Sequence, residues 1–197
     1  IPINHKNIET NERLENQLLE DEVMKQIKLI CSNPSILKIG QNLKYDIRIL
    51  KKYDIQFCSI DDTMLLSYAL DNGITRHGLD DLAYRHLNHT TIKYKDLVGV
   101  GKKQITFDYV PIEEATKYAA EDALITFKLY NQLKPRLINE KSTSIYEKID
   151  RPLINVLSSM EGLGIKVNQA YLEKLSDEFF KEAKKIEKQI FKIAGKN

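Results

Sequence analysis

Residues 38–50, KIGQNLKYDIRIL, decide the fold. Ile36 to Ile39 is short and apolar, Gly40 punctuates it, and Leu43, Ile47 and Leu50 then recur at helical spacing. The reading is a strand, a tight turn and a helix. Upstream, ENQLLEDEVMKQIKLICSNPS (15–35) carries a helical pattern that stops at Asn33-Pro34. Downstream, FCSIDDTMLLSYAL (57–70) reads as a second short strand giving way to a helix, closed by the turn-forming Asp71-Asn72-Gly73. A further helix is predicted from Leu79 to Leu87. TTIKYKDLVGVGKKQITF (90–107) reads as a glycine-punctuated, lysine-bearing loop region. Pro111 at a first helical turn, with Glu113 and Glu114 beside it, opens a long helix that Pro135 terminates. Two more helices, joined at Gly162 to Gly164 through a short extended piece, complete the chain. Helices interleaved with short strands argue an α/β class, with a domain boundary near residues 140–148.

Composition bounds the function without choosing it. At 197 residues, 42% hydrophobic and 29% charged, the chain can bury one core of about 150 residues plus an appendage. No apolar run approaches the roughly 18 to 20 residues of a membrane-spanning helix, so no membrane partner is expected. A net charge of +2 is too small to argue for nucleic acid by itself. Cys31 and Cys58 have no metal-ligand spacing and read as ordinary semi-buried thiols of a reducing compartment. The segment Gly99 to Lys103 fails the phosphate-loop spacing because Gln104 stands where a hydroxyl residue is required. His86 and His89 read as helix-end surface residues.

Asn42 with Asp46, and Tyr118 with Asp122, are each at i and i+4, so each pair is expected to project from one helix face. Asp46 falls early in its helix, where a carboxylate near the positive dipole end could hold a cation. The small residues Ala119, Ala120 and Ala123 around Asp122 would let that helix pack close to a sheet edge. Taken singly, an Asp on a helix is usually solvated and a Tyr is usually packing.

The strings KIGQNLKYD (38–46) and KYAAEDA (117–123), separated by DTMLLSYAL (62–70) and RHGLDDLA (76–83), resemble the second and third exonuclease motifs of bacterial family A DNA polymerases of the polymerase I type. The resemblance covers nearly the whole chain. It implies a ribonuclease H-like 3′ to 5′ proofreading exonuclease domain over 1–145, with a mixed sheet flanked by helices. RPLINVLSSMEGLGIKVN (151–168) resembles the start of the polymerase domain, so 146–197 would be helices leading into the thumb.

The resemblance also implies roles. Asp46 and Asp122 would be metal ligands, Tyr118 would orient the attacking water, and Asn42 would sit beside the terminal nucleotide. Arg76 would contact a phosphate and Tyr94 would meet the unstacked 3′ end. The cofactors would be two divalent ions, Mg²⁺ or Mn²⁺, with Zn²⁺ an option at one position. The partners would be DNA, as a single-stranded 3′ end or primer-template, and the rest of a polymerase chain, in the bacterial cytoplasm at the nucleoid.

The family's first motif, Asp-x-Glu, occurs nowhere in the 197 residues, and the chain starts at Ile1. Truncation after that motif is the expectation, with a missing leading strand, unpaired sheet edges and little or no exonuclease activity in isolation. A noncatalytic exonuclease-like scaffold and a ribonuclease D-like RNA exonuclease stand as alternatives, the latter disfavoured by the C-terminal helices.

Overall fold

The computed structural model describes residues 1–71, 73 and 76–195. Among these described residues, ten α-helices and two strands follow in chain order: α1 Glu20–Cys31, β1 Lys38–Gly40, α2 Leu43–Leu50, β2 Ile60–Asp62, α3 Thr63–Asp71, α4 Leu79–Leu87, α5 Tyr94–Val98, α6 Ile112–Leu133, α7 Arg136–Asn139, α8 Thr143–Ile145, α9 Arg151–Leu163 and α10 Gln169–Ala194. A π-helical segment, Tyr146–Asp150, leads into α9. The chain is mostly helical with a small parallel sheet. β1 pairs β2 in the register Lys38 to Ile60, Ile39 to Asp61 and Gly40 to Asp62, so each strand keeps one side without a strand partner among the described residues.

Most elements follow the periodicity. The turn at Asp71-Asn72-Gly73 is expected partly on Asn72, which lies outside the described residues. Two elements differ from expectation. The helical pattern from Glu15 becomes helix only at Glu20, because the Gln17 amide is engaged elsewhere. Its Oε1 accepts from the His5 amide at 2.7 Å and its Nε2 donates to the His5 carbonyl at 2.9 Å, which fixes the preceding residues as a non-helical lead-in. The loop expected over 90–107 contains the short helix α5, anchored by the buried Val98.

Two compact units divide the chain, Ile1–Gly162 and Leu163–Asn197. Within the first, α3, α4, α6, α7 and the π-segment enclose a cluster of Leu66, Leu82, Ala83, Ile125, Leu129, Leu133, Leu137 and Tyr146. Side chains of this kind each contribute about 1.5–3 kcal/mol when fully buried. A second cluster joins Leu43, Ile47, Ile60 and Ile154, and a third joins Val98, Val110 and Ala115. The first compact unit thus takes in residues beyond 145, through Tyr146 and Ile154. The second unit contains α10, where Asn168 Oδ1 accepts from the Tyr171 amide at 3.1 Å and Gly195 at φ 65° closes the last turn. No described helix is long and apolar enough to cross a membrane.

Candidate active site

The turn between β1 and α2 is built by the strand beside it. Asp62, the last residue of β2, is 1% exposed. Its carboxylate accepts from the amides of Asn42 at 3.2 Å and Leu43 at 2.7 Å, and from Met64 at 2.8 Å and Leu65 at 3.3 Å. One side chain therefore caps the N-termini of two helices, α2 and α3, satisfying donors that the first turn of a helix leaves orphaned. The Thr63 hydroxyl donates to the Gly40 carbonyl at 3.1 Å, and Gln41 Nε2 donates to the His77 carbonyl at 2.9 Å. A Cβ at Gly40 would lie 2.5 Å from Leu43 Cδ1, so a larger residue there would displace the Leu43 side chain.

This turn corrects one sequence expectation. Asn42 is not on the face of α2 but precedes it, in the left-handed region at φ 57° and ψ 45°. Its backbone is held there by Asp62, so Asn42 and Asp46 do not project together as an i, i+4 helical pair. Asp46 itself lies in the first turn of α2. Burial pushes its carboxyl above the ordinary range, the charge on Asp62 adds to the rise, and a backbone hydrogen bond opposes it.

α6 packs against β1, α3, α4 and α5, and its central turns carry Tyr118, Glu121 and Asp122. The Asp122 carboxylate follows the Tyr118 hydroxyl by one turn, close enough to act on its titration. Burial, with the charge and hydrogen bond of Asp122 behind it, pushes the phenol up to about 12. Burial also raises the Asp122 carboxyl, aided by the charges of Glu121 and Asp80 and opposed by the bond from Tyr118. Three rings meet here. Tyr94 stacks on Phe107 with centroids 5.9 Å apart, and Tyr118 is tilted against both, 6.2 Å from Tyr94 and 5.9 Å from Phe107. Tyr94 remains 47% exposed, which leaves ring surface open to solvent.

Ala119, Ala120 and Ala123 are all exposed, contrary to the close packing expected of them. The buried face of α6 is formed by Ala115, Ile125, Thr126, Leu129 and Leu133 instead. Ala119 and Ala120 line an open cleft of about 320 Å³ with Ile1, Pro2, His5, Phe107, Ala115 and Thr116.

The expected site residues thus fall into two groups. Tyr94, Tyr118 and Asp122 come together on α5 and α6, while Asn42 and Asp46 gather around Asp62. Arg76 joins neither group through a described contact; it stands exposed before α4, its carbonyl accepting from Arg85 Nη2 at 2.5 Å. Of the two histidines, His86 departs from a surface residue, whereas His89 keeps 41% of its side chain exposed. The His86 side chain is only 11% exposed, and burial lowers its pKa, whereas His89 Nε2 meets Glu121 Oε1 at 2.7 Å. Phe107 and Glu121 were not singled out by sequence. Phe107 closes a stretch read as loop, and the position of Glu121 beside Asp122 in KYAAEDA was its one available signal.

The profile of a family described as 3′-5′ exonuclease, from family A DNA polymerases, matches residues 3–138. The chain belongs to this 3′-5′ exonuclease family. As a family member it is 44% identical over 199 residues to DNA polymerase I of Rhizobium leguminosarum, an alignment covering 99% of this chain and 20% of that protein. It is 36% identical to DNA polymerase I of Pseudomonas aeruginosa, covering 99% and 21%. The chain therefore spans about a fifth of the length of these curated relatives. Among solved structures, the POL domain of Pol1 from M. smegmatis, in complex with DNA primer-template and dNTP, superposes with a TM-score of 0.67 at 21% identity, covering 93% of this chain and 29% of that one. That likeness shows a shared fold, and the family match gives it as the ribonuclease H-like fold of the 3′-5′ exonuclease family. The motifs at α2 and α6 lie within the residues that this family's profile matches.

Proposed function

We propose that the chain is the proofreading exonuclease region of a bacterial DNA polymerase I, hydrolysing the 3′-terminal nucleotide of single-stranded or mismatched DNA in the cytoplasm at the nucleoid. The observation that carries this reading is the gathering of Tyr94, Phe107 and Tyr118 into one ring cluster, with Asp122 one turn beyond Tyr118 on a helix that packs against β1. Residues 1–145 are assigned to the exonuclease domain and 146–197 to the start of the polymerase domain, consistent with a family match that ends at residue 138.

The residues present fit part of a metal site. Asp46 and Asp122 are partly buried carboxylates that make no ion pair among the described residues, and both are raised above the usual range. Oxygen donors of this kind suit hard cations such as Mg²⁺ or Mn²⁺, with Zn²⁺ an option at one position. Two carboxylates do not complete the set. No group of three potential ligands is found among the described residues, and Asp-x-Glu is absent from the sequence. Activity is therefore assigned to a polypeptide that adds an Asp-x-Glu strand. Two divalent cations, when bound, would activate the attacking water and stabilise the leaving 3′ oxygen.

The chain's own groups have separate tasks. Tyr118, neutral at physiological pH, offers a hydroxyl that donates to Asp122 and accepts from water, which orients the nucleophile without acting as its base. The open face of Tyr94 stacks on the unpaired base. Asn42 lies beside the terminal nucleotide, and Arg76 pairs with a phosphate.

The test is Mg²⁺-dependent degradation of a 3′-mismatched primer by this chain and by one extended with the Asp-x-Glu strand. Trimming only by the extended chain supports the assignment. Inactivity of both marks a noncatalytic scaffold, and preference for RNA over DNA marks a ribonuclease D-like enzyme.

A further inference from the structure

We infer that Glu121 is a positioning residue that fastens the α4–α5 connection to α6 and so sets Tyr94 against Tyr118. The inference rests on the exonuclease reading above. α6 presents Tyr118 and Asp122 one turn apart, with Glu121 aimed at the connection 88–93. There it meets two partners at once. Oε1 contacts His89 Nε2 at 2.7 Å, and Oε2 accepts from the Ile92 amide at 2.7 Å. The side chain of Glu121 is 18% exposed and that of His89 41%, so the carboxylate is the more covered partner.

The other side of the connection is tied to α4. The Thr91 hydroxyl donates to Asp80 Oδ1 at 2.5 Å, and Lys93 Nζ meets Asp80 Oδ2 at 2.7 Å. Asp80 holds the connection to its own preceding helix, whereas Glu121 alone among these contacts holds it to the helix bearing Tyr118 and Asp122. Tyr94 opens α5 two residues after the Ile92 amide. The spacing of the Tyr94 and Tyr118 rings, 6.2 Å between centroids, is therefore set through Glu121. A carboxylate at this point anchors a backbone donor and a ring nitrogen together, which alanine cannot do and glutamine can do in part. Its contribution should appear in capture of the 3′ end rather than in the hydrolytic step, because Tyr94 stacks while Tyr118 and Asp122 stay on their helix.

The experiment uses the full-length polymerase proposed above, with steady-state trimming of a single-stranded oligonucleotide and amide hydrogen exchange over residues 88–94. Glu121→Ala is expected to raise KM about tenfold, within the range of one lost base–aromatic stack, while kcat changes less than about threefold. Exchange of the 88–94 amides accelerates in that variant. Glu121→Gln restores most of the KM, since its oxygen still accepts from Ile92. In a Tyr94→Ala background Glu121→Ala adds little, because the ring it positions is gone. An unchanged KM, an undiminished effect in the Tyr94→Ala background, or unaltered exchange overturns the inference. A wild-type polymerase that fails to trim sinks the exonuclease reading instead, and exchange alone then decides whether Glu121 fastens the connection.

Discussion

Asp46 and Asp122 are carboxylates that the fold keeps partly out of water with no ion-pair partner among the described residues, and this has consequences in both activity and stability. Each has a folded pKa above its unfolded value near 3.9. Between the unfolded and the raised folded value the native state holds more protons than the unfolded one. Stability of the metal-free protein therefore falls as pH rises through that window, and the loss persists at neutral pH. Asp46→Asn and Asp122→Asn are each expected to abolish trimming in the full-length polymerase while sparing polymerisation, yet to raise the Tm of metal-free protein at pH 7. Calorimetry with primer-degradation assays checks both, and a lowered Tm would contradict the desolvation account. Tyr118 has a different signature. With its phenol pushed up to about 12, it stays protonated across the working range, so the pH–rate profile between pH 6 and 10 should be the same in shape for Tyr118→Phe, with kcat lowered about a hundredfold. At this scale the sequence was informative where a motif names a residue, as at Asp46, Tyr118 and Asp122. It was silent on Phe107 and Glu121, whose roles exist only through partners far along the chain.

Among the elements, the parallel pair β1 and β2 is short, and what makes it a platform is the carboxylate at its end. Asp62 receives amides from the first turns of α2 and α3, and burial raises its carboxyl despite those four donors. Removing it leaves buried amides without acceptors at two helix ends. Asp62→Ala is expected to destabilise the fold by about 2–4 kcal/mol, the sum of two lost caps. Asp62→Asn, which keeps an oxygen and loses the disfavoured charge, should cost less. Urea unfolding measures both, and equal losses would show that the caps contribute little. Helix periodicity gave α2, α4 and α6 because their apolar stripes face packed clusters. It could not show that Asn42 leaves the helix, since that conformation is imposed by Asp62 twenty residues later, nor that α5 is helical, since a five-residue helix has too few repeats to display a period.

In the whole molecule, the boundary that evolution suggests and the boundary that packing makes are at different places. The family match ends at residue 138, whereas the first compact unit runs to Gly162. The reason is an ion network under α6. Asp61, 3% exposed at its side chain, meets Lys134 at 3.0 Å and Arg151 at 3.3 Å, and accepts from the Tyr146 hydroxyl at 2.8 Å, while Tyr146 accepts in turn from the Asp62 amide at 3.0 Å. Glu147 closes the ring of charges by pairing with both Lys134 and Arg151. Tyr146 fills the main core and Ile154 the core beneath α2. Residues assigned by resemblance to the next domain thus complete the cores of this one and neutralise a buried aspartate that strand β2 cannot otherwise accommodate. A chain ended at residue 145 would leave Asp61 with one cation in place of two, and would remove one large aromatic and one aliphatic side chain from separate clusters, each loss worth about 2–5 kcal/mol. Against a typical domain stability of about 5–15 kcal/mol, that is enough to abolish cooperative unfolding. Chains 1–145 and 1–162, compared by urea titration and limited proteolysis, should differ accordingly, with a single sharp transition and protection of α2 and α6 only in the longer one. Equal midpoints would mean that the network joining β2 to residues 146–151 is electrostatically neutral in its effect and that the exonuclease fold closes without it.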